Sequence, residues 1–435
     1  MATASPPRSA ILWQNATRTV TLLDIPLSIS IGQGAPSYPC NHWIYSSPAL
    51  QIPYPSTEPK TDRAKANVLR TRPYNSNDVD FPATLLYEAH DQIAKIWDRE
   101  WCIERQVSPF IEGRRDQQTK HEREGCEENE RKSTGSGQQW AKARAPKSEL
   151  SYELDFTVSQ NNTQDPVDLS SLINPTDMGI CPNVRQVTNR LIDNPCLYPL
   201  SMRHLQPSKI AEHTYIIPPR ASFFLSKIDH ITSPAISMAA LTMYPDSSAT
   251  AGPGQFDFVL LDPPWGNRSV KRSAKYRTMR EPEPMEVLQS MMMLHLAPNA
   301  LVACWITNKA RVRADALEAF EVWKVQLVEE WAWLKTTEHG EPVTKIDGLW
   351  RKPYEMLLVG RMSEDRPDKV VEDIQRRVIV AVPDFHSRKP NLKALVEPML
   401  PPHYRALEVF ARNMTAGWMA WGDQVLEYAW EGCYV

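Results

Sequence analysis

Hydrophobic residues beyond about residue 151 come in short runs that alternate with helical patterns. Runs rich in β-branched and aliphatic residues occur at Phe256–Asp262, Ala300–Ile306, Val325–Leu334, Tyr354–Arg361, Val378–Val382 and Ala406–Phe410. Between several of them, apolar residues recur at helical spacing, as in Met285–Leu296 and Arg313–Trp323. This alternation predicts an α/β fold, with a Rossmann-like, mainly parallel sheet and helices on both faces. Ligands of such sheets bind beyond the carboxyl ends of the strands.

The N-terminal part of the chain has a different pattern. Thr19–Leu23 and Ile25–Ile31 are short β-type runs, and Leu85–Trp101 spaces its apolar residues as an amphipathic helix does. We interpret residues 1–112 as a smaller accessory domain or docking arm. Residues 113–150 contain almost no aliphatic side chain and carry both signs of charge. They cannot bury enough apolar surface to offset the entropy of ordering, so we predict a charged flexible linker, a solvated spacer in preference to an RNA contact.

Composition excludes several classes of protein. The 435 residues include only 16 Gly against 37 Pro, which argues against a glycine-rich phosphate loop. The 7 Cys are scattered and never spaced as C-x-x-C, so neither a disulfide framework nor a zinc site is expected, and we predict no metal. No long apolar stretch or signal-type N-terminus occurs, so we expect a nuclear, or also cytoplasmic, protein without a membrane partner. The net charge of −3 implies that any nucleic-acid contact uses a local patch.

A chemically distinctive tetrapeptide, Asp262-Pro263-Pro264-Trp265, directly follows the run at 256–262. Proline has no backbone N–H, so an acid followed by two prolines makes a cluster of acceptors without competing donors. The Asp262 carboxylate and the Pro263 carbonyl can accept the two hydrogens of an exocyclic amine, which turns the nitrogen lone pair toward an electrophile. Trp265 offers a face on which a base can stack. The structural alternative is a buried turn that closes the strand, with Trp265 in the core.

A basic block follows this tetrapeptide. Residues 266–280 contain six Lys or Arg and no acid, in an otherwise slightly acidic chain. Beside an amine receptor, such a block can hold the phosphates of a nucleic acid, and Tyr276 can stack on a base. The alternative is a solvated loop. Glu355, which opens the run at 354–361, can hold a substrate edge or be an edge-strand carboxylate.

Several short motifs occur in an order that is typical of one family. They are DPPW at 262–265, NRSVKRS at 267–273, WITN at 305–308, EWAWLK at 330–335, KPYE at 352–355, HSRKP at 386–390, LEVFARN at 407–413 and WGDQ at 421–424. Together they resemble the adenine N6-methyltransferases of the methyltransferase-A-seventy family, and specifically its methyltransferase-like protein four branch. The resemblance implies that residues 151–435 form an S-adenosylmethionine-dependent methyltransferase domain. It also implies a permuted order, in which the amine-binding strand precedes the cofactor-binding strand.

The resemblance also implies roles for individual residues. The catalytic residues would be Asp262, Pro263, Pro264 and Trp265. The S-adenosylmethionine site would include Lys227, Ile228, Asp262, Ser387, Lys389, Glu408, Phe410, Arg412, Asn413, Asp423 and Gln424. The nucleic-acid site would include Asn267, Ser269, Lys271, Arg272, Tyr276 and Glu355. Lys389 is expected to neutralise the methionine carboxylate, and Arg412 with Asn413 to bind the ribose hydroxyls. Because Lys227 stands where relatives carry an acid, either Asp229 replaces it or the backbone alone contacts the cofactor's adenine.

These implications lead to methyl transfer onto N6 of adenine in RNA, in particular 2′-O-methyladenosine of spliceosomal small nuclear RNA. DNA is the alternative substrate, and a catalytically silent RNA-binding subunit of the same fold is the alternative of a different class. No obligate protein partner follows from the sequence.

Overall fold

A computed structural model describes residues 9–34, 44–56, 58–71, 81–107, 167–168, 180–181, 191–197, 199–205, 212–230, 232–265, 284–349, 351–363, 374–385 and 388–434. The predicted linker, residues 113–150, and the basic block, residues 266–280, lie outside the described residues. The same holds for these predicted site residues: Asn267, Ser269, Lys271, Arg272, Tyr276 and Ser387.

The described residues form fifteen strands and seven α-helices. The strands are β1 Ile11–Gln14, β2 Val20–Leu23, β3 Val167–Asp168, β4 Ile180–Cys181, β5 Leu191–Asp193, β6 Leu200–Leu205, β7 Glu212–Ile217, β8 Ser222–Leu225, β9 Phe256–Leu261, β10 Leu296–Ile306, β11 Val325–Lys335, β12 Tyr354–Met362, β13 Gln375–Ala381, β14 Ala406–Val409 and β15 Met419–Gly422. The helices are α1 Ile25–Gly32, α2 Asp62–Thr71, α3 Ala83–Ala94, α4 Ser233–Met243, α5 Pro284–His295, α6 Ala310–Val322 and α7 Lys393–Val396. The six runs predicted as strands are confirmed as β9 to β14, and the two helical patterns between them as α5 and α6.

Twelve of the strands form one sheet, in the order β1-β2-β13-β11-β12-β10-β9-β14-β15-β8-β5-β3, and β4, β6 and β7 form a second. Most neighbours in the large sheet are parallel, but β12 runs antiparallel to both β10 and β11. The predicted α/β fold with a mainly parallel sheet is therefore confirmed. No helix within the described ranges is both long enough and apolar enough to span a bilayer.

Side-chain alternation along the strands gives the large sheet two buried faces. Val259 and Leu261 of β9 point to the face that packs against α3, α4, α5 and α6. Phe258 and Leu260 point to the opposite face, which packs against α1 and α7. Trp333 is buried on this second face together with Trp331, as their spacing predicts. Helices therefore cover both faces of the sheet.

The N-terminal region contributes to the same sheet. Strand β2 pairs in parallel with β13, and β1 pairs with β2. The prediction of a strand at Ile25–Ile31 is wrong, because these residues form α1. Asp24 caps this helix by accepting a hydrogen bond from the Leu27 backbone N–H at 2.8 Å, and Pro26 occupies the first turn, where its missing N–H costs nothing. The predicted amphipathic helix exists as α3 and ends earlier than its pattern, at Ala94. The domain boundary at residue 112 stays a prediction.

The connections of β9 and β14 diverge at one point of the sheet. The two strands are parallel neighbours, with Leu261 opposite Val409. From β9 the chain proceeds through α5 to β10 on one side, whereas from β14 it proceeds to β15 on the other. Such a topological switch point leaves a crevice at the carboxyl ends of the strands, where α/β folds bind ligands. Because β9 precedes β14 in the chain, the order is permuted, as the resemblance implied.

Candidate active site

Asp262 lies at this switch point, directly after β9. Its two carboxylate oxygens accept hydrogen bonds from Lys389 Nζ at 3.0 and 3.1 Å. Lys389 Nζ is also 3.2 Å from Glu355 Oε2, and Glu355 Oε1 forms an ion pair with Lys335. We call this row of alternating charges, Lys335-Glu355-Lys389-Asp262, the charge chain. It lies along the carboxyl edge of the parallel strands.

Strand direction and side-chain parity explain why these residues meet. Because β12 is antiparallel to its neighbours, its first residues lie at the edge where β10 and β11 end, and Glu355 is opposite Trp333. Residues two apart in a strand share a face, so Lys335 follows Trp333 on the face that packs against α1 and α7. Asp262 continues that face from Leu260 in the same way. The segment between β13 and α7 brings Lys389 onto the two acids.

The neighbouring charges determine the ionisation of the middle pair. Burial alone would raise the pKa of Glu355, but the ammonium groups of Lys335 and Lys389 hold it well below its usual range. Burial alone would lower the pKa of Lys389, but the carboxylates of Asp262 and Glu355 raise it. Both residues are therefore ionised at neutral pH.

The prolines of the tetrapeptide do not make a donor-free cluster, so that prediction is wrong. The Lys389 ammonium donates to Asp262, and the Trp265 backbone N–H donates to the Pro263 carbonyl at 2.8 Å. A carboxylate has about four lone-pair positions and a carbonyl has two, so both groups keep capacity to accept an amine hydrogen. Pro263 is buried and Pro264 is exposed.

Trp265 is held in a defined place beside Asp262. Its indole Nε1 donates to the Trp305 carbonyl of β10 at 2.7 Å, and its ring is partly buried against the core under α3 to α6. Lys389 Nζ lies 5.5 Å from the ring centroid of Trp305, which packs edge-on against Trp333. The neighbourhood of Asp262 is therefore aromatic as well as charged.

The second group of predicted residues follows β14 and β15 on the other side of the switch point. Arg412 Nε donates to Gln424 Oε1 at 3.0 Å, so the two motifs that carry these residues meet. Burial raises the pKa of Asp423, against the opposing effect of the Arg412 and Lys227 charges. The structure thus joins Arg412 to Gln424 and places Arg412 and Lys227 close enough to influence Asp423, whereas a common ligand pocket for the four residues stays a prediction.

The loop Phe410–Asn413 has features of a ligand site. Phe410 has φ of 61°, a left-handed backbone conformation that non-glycine residues adopt uncommonly. The loop packs so closely on β15 that a Cβ at Gly422 would lie 3.2 Å from the backbone N and O of Ala411. Asn413 Oδ1 is buried and has no hydrogen-bond partner among the described residues. A ligand that donates hydroxyl hydrogens here would satisfy it, which fits the adenosyl ribose of S-adenosylmethionine.

Glu408 differs from Asp262 in its environment, although both lie beside the switch point. Enclosure between β9 and β15 raises the pKa of Glu408 to about 8, and the Asp262 charge adds to the shift. Glu408 is therefore largely protonated at neutral pH and can donate a hydrogen bond. A buried carboxyl group with a strongly raised pKa is typical of functional sites.

The residues after β8 have distinct positions. Ile228 is buried in the core, so only its main chain can face the pocket. The Asp229 carboxylate accepts from the Thr232 backbone N–H at 2.9 Å in the turn before α4. The Thr232 hydroxyl donates to the Lys227 carbonyl at 2.6 Å. Asp229 is thus engaged in the start of a helix, and whether Lys227, Asp229 or the backbone contacts the cofactor stays a prediction.

Sequence reasoning missed Lys335 and assigned Glu355 two alternatives. Lys335 ends β11 in phase with Trp331 and Trp333, so its face could have been inferred, but its pairing with Glu355 depends on the order of strands. Glu355 is not on an edge strand, because β12 lies between β10 and β11. Among the described residues, no cluster of three or more His, Cys, Asp or Glu side chains is arranged to hold a metal ion.

The permuted sheet, the acid after β9 and the strained loop after β14 define a class: Rossmann-like folds of S-adenosylmethionine-dependent methyltransferases. Residues 256–424 match the MT-A70 family. The family resemblance carried by the short motifs is confirmed. Methyltransferases of this family use S-adenosylmethionine as the methyl donor.

Relatives with different stated substrates each match about 40–49% of the chain. The chain is 45% identical over 184 residues to the "N6-methyladenosine RNA methyltransferase MTA1" of Cryphonectria parasitica, covering 40% of this chain and 52% of that protein. It is 35% identical over 223 residues to the human "N(6)-adenine-specific methyltransferase METTL4", covering 49% and 43%. It is 29% identical over 202 residues to the "DNA N6-methyl methyltransferase" of Caenorhabditis elegans, covering 46% and 50%. The chain thus spans about half the length of the curated relatives it matches.

Proposed function

We propose that the protein transfers the methyl group of S-adenosylmethionine to the exocyclic N6 of adenine in a nucleic acid. The observation that carries this proposal is the position of Asp262. Its carboxylate lies at the switch point, with acceptor capacity remaining beside the Lys389 ammonium, and across the same crevice from the loop that contains Asn413. An amine held by Asp262 would therefore lie beside the loop that is proposed to hold the donor.

Asp262 and the Pro263 carbonyl perform the orienting step. When bound, S-adenosylmethionine supplies an electrophilic methyl group. By accepting the two amine hydrogens, the two oxygens direct the N6 lone pair at that carbon, so the gain comes mainly from orientation. Methylation would make N6 acidic, and Asp262 or solvent would accept the proton that it releases. No strong general base is required.

The proposed donor site uses the residues after β14 and β15. Arg412 and Asn413 would bind the ribose hydroxyls, with Gln424 holding the Arg412 guanidinium through its 3.0 Å hydrogen bond. Lys389 would neutralise the methionine carboxylate. In this structure the Lys389 ammonium contacts the carboxylates of Asp262 and Glu355. When the donor binds, its methionine carboxylate would replace one of these two contacts, so the ammonium would remain paired.

RNA is the proposed substrate class. The basic block at 266–280 supports a nucleic acid, and the stated activity of the Cryphonectria parasitica relative supports RNA. We extend the proposal to 2′-O-methyladenosine in small nuclear RNA, and hence to a nuclear location. The Caenorhabditis elegans relative supports DNA as the second candidate. In either case the base must be unpaired or flipped, because N6 is engaged in the duplex.

The test offers the protein three matched single-stranded oligonucleotides that differ only in the target: adenosine, 2′-O-methyladenosine or deoxyadenosine. Transfer from labelled S-adenosylmethionine is measured, and N6-methyladenine is identified after digestion. The proposal expects the 2′-O-methyladenosine oligonucleotide to react fastest. A preference below about threefold, which is under 1 kcal/mol, removes the support for that nucleotide, and preference for deoxyadenosine selects the DNA candidate.

A silent subunit is distinguished by cofactor binding. If calorimetry detects no heat with millimolar S-adenosylmethionine and no oligonucleotide is methylated, the enzyme proposal is overturned. RNA binding that persists in the same preparation would then identify a catalytically silent RNA-binding protein.

A further inference from the structure

Arg388, the residue before Lys389, is buried by three separate parts of the chain. Its side chain is 1% exposed, and its Nη1 donates to Asp384 Oδ2 at 2.8 Å and to the Tyr45 carbonyl at 2.7 Å. Its guanidinium carbon lies 4.7 Å from the ring centroid of Phe385 and 4.4 Å from that of Tyr428. The backbone next to Lys389 is thus fixed in place.

Asp384 ties this position to the N-terminal region. Its side chain is fully buried, and Oδ1 accepts from the Ser47 backbone N–H at 2.8 Å and from the Ser47 hydroxyl at 3.2 Å. Arg105 is 2% exposed and lies 3.9 Å from Asp384 Oδ1. It donates to the carbonyls of Val382 and Pro383, each at 2.9 Å. Two N-terminal segments, 45–47 and 103–107, therefore form hydrogen bonds with the stretch of chain that follows β13.

Stability alone does not explain such a cluster. Removing charges from water costs several kcal/mol per ion, and replacing a buried ion pair with apolar residues is often neutral or stabilising. Buried pairs do restrict the geometry of the chain that carries them. One peptide bond separates Arg388 from Lys389, and the Lys389 ammonium must lie within hydrogen-bonding distance of both Asp262 and Glu355.

We propose that Arg105, Asp384 and Arg388 position Lys389 on Asp262, so that the N-terminal segments 45–47 and 103–107 belong to the catalytic apparatus. The importance of Lys389 for turnover rests on the proposed function, whereas its placement does not. The methyltransferase unit therefore includes residues N-terminal to the predicted linker, and a fragment of residues 151–435 lacks Tyr45, Ser47 and Arg105.

The test compares four forms of the full chain: wild type, Asp384→Asn, Arg388→Met and the double variant. The double variant removes the Asp384–Arg388 pair as a whole, and Asp24 remains as an acid that interacts with Arg105, so this variant is expected to fold even where a single variant fails. A matched control, Glu330→Gln, removes a buried carboxylate that pairs with Arg313 and Arg376 at the middle of β11.

The readout is the rate at which an amine-acylating reagent labels Lys389, followed by mass spectrometry without cofactor or RNA. Release from its two carboxylates lowers the pKa of Lys389, and each unit raises the reactive neutral fraction about tenfold. We expect about tenfold faster labelling in the double variant and no change at exposed Lys345 or in Glu330→Gln. We also expect kcat for methyl transfer to fall about 100-fold with little change in KM for the oligonucleotide, as for misplacement by about 1 Å.

A folded double variant with wild-type Lys389 labelling overturns the proposal, as does equally faster labelling in Glu330→Gln, which would indicate general loosening. If the wild type methylates no oligonucleotide, the proposed function fails, but the labelling comparison still decides whether the cluster positions Lys389.

Discussion

The ammonium group of Lys389 donates to both carboxylate oxygens of Asp262, at 3.0 and 3.1 Å, although 127 residues separate the two in sequence. The same ammonium contacts Glu355, which Lys335 holds from its other side. The acid that is proposed to orient the substrate amine is thus the end of a paired series of charges. The orientation of the Asp262 carboxylate therefore depends on Lys389.

Lys389→Met should reduce methyl transfer about 100-fold or more, because it leaves Asp262 and Glu355 as neighbouring acids without the cation between them. Loss of one partner from a buried pair costs about 3–5 kcal/mol, and less here because the groups are partly exposed. Lys389→Arg keeps the charge and should retain part of the activity. Turnover and calorimetric cofactor affinity measure the effect, with exposed Lys345→Met as control. Wild-type turnover in Lys389→Met would show that the charge chain is not part of the site.

Asn413→Ala should weaken S-adenosylmethionine binding while leaving the ligand-free fold as stable as before, or more stable. Asn413 Oδ1 is a buried acceptor without a partner in the described structure, and such an atom costs about 1–3 kcal/mol. Removing it relieves that cost in the free protein but deletes a contact to the ligand. We expect about a tenfold to hundredfold higher Kd and an unchanged or higher Tm. A lower Tm with unchanged Kd would assign Asn413 to the fold instead.

Glu408 should make the ligand-free protein less stable as pH rises from about 4.5 to about 8. The folded protein holds this proton up to a pKa of about 8, against an ordinary value of 4.5, so the unfolded chain releases it first. The stabilising contribution is complete below pH 4.5 and is lost as pH passes through 8. One pKa unit corresponds to about 1.4 kcal/mol, so the change is on the order of a few kcal/mol.

Glu408→Gln removes this titration, so its Tm should rise relative to wild type across that interval. Thermal unfolding from pH 5 to pH 8.5 measures the difference, and exposed Glu318→Gln is the matched control. Parallel pH profiles for wild type and Glu408→Gln would contradict the raised pKa.

Reversing two charges of the basic block, in Lys271→Glu/Arg272→Glu, should weaken binding of single-stranded RNA and flatten its salt dependence. Each phosphate contact on a single strand contributes about 0.7 to the slope of log affinity against log salt, so losing two should reduce it by about 1.4. Fluorescence anisotropy at several salt concentrations gives the slope. An unchanged slope would indicate that the basic block is a solvated loop that does not contact the nucleic acid.

Local patterns predicted the parts of the site that are local in sequence. Asp262 and the motif that contains Arg412 could be located because each comes directly after a buried apolar run. The run at Ile25–Ile31 was predicted as a strand from its hydrophobic residues alone. Asp24 and Pro26, which are typical of the start of a helix, were the signal in the sequence that indicated a helix.

The charge chain and the Arg388 cluster could not be predicted, because both depend on pairings between distant segments. Glu355 reaches Lys335 only because β12 is inserted antiparallel between β10 and β11. Arg105 reaches Asp384 across more than half the chain. Nothing in the local sequence of either residue indicates its partner.

The central claim is that Asp262 holds the adenine amine for methyl transfer. The most direct test measures N6-methyladenine formed from labelled S-adenosylmethionine by wild type and by Asp262→Ala, with cofactor affinity and Tm determined on the same samples and Glu318→Gln as the control. The account predicts N6-methyladenine with wild type and Glu318→Gln, and none above background with Asp262→Ala, which should remain folded and bind cofactor within about threefold of wild type. Methylation of N6 that persists in Asp262→Ala would contradict it.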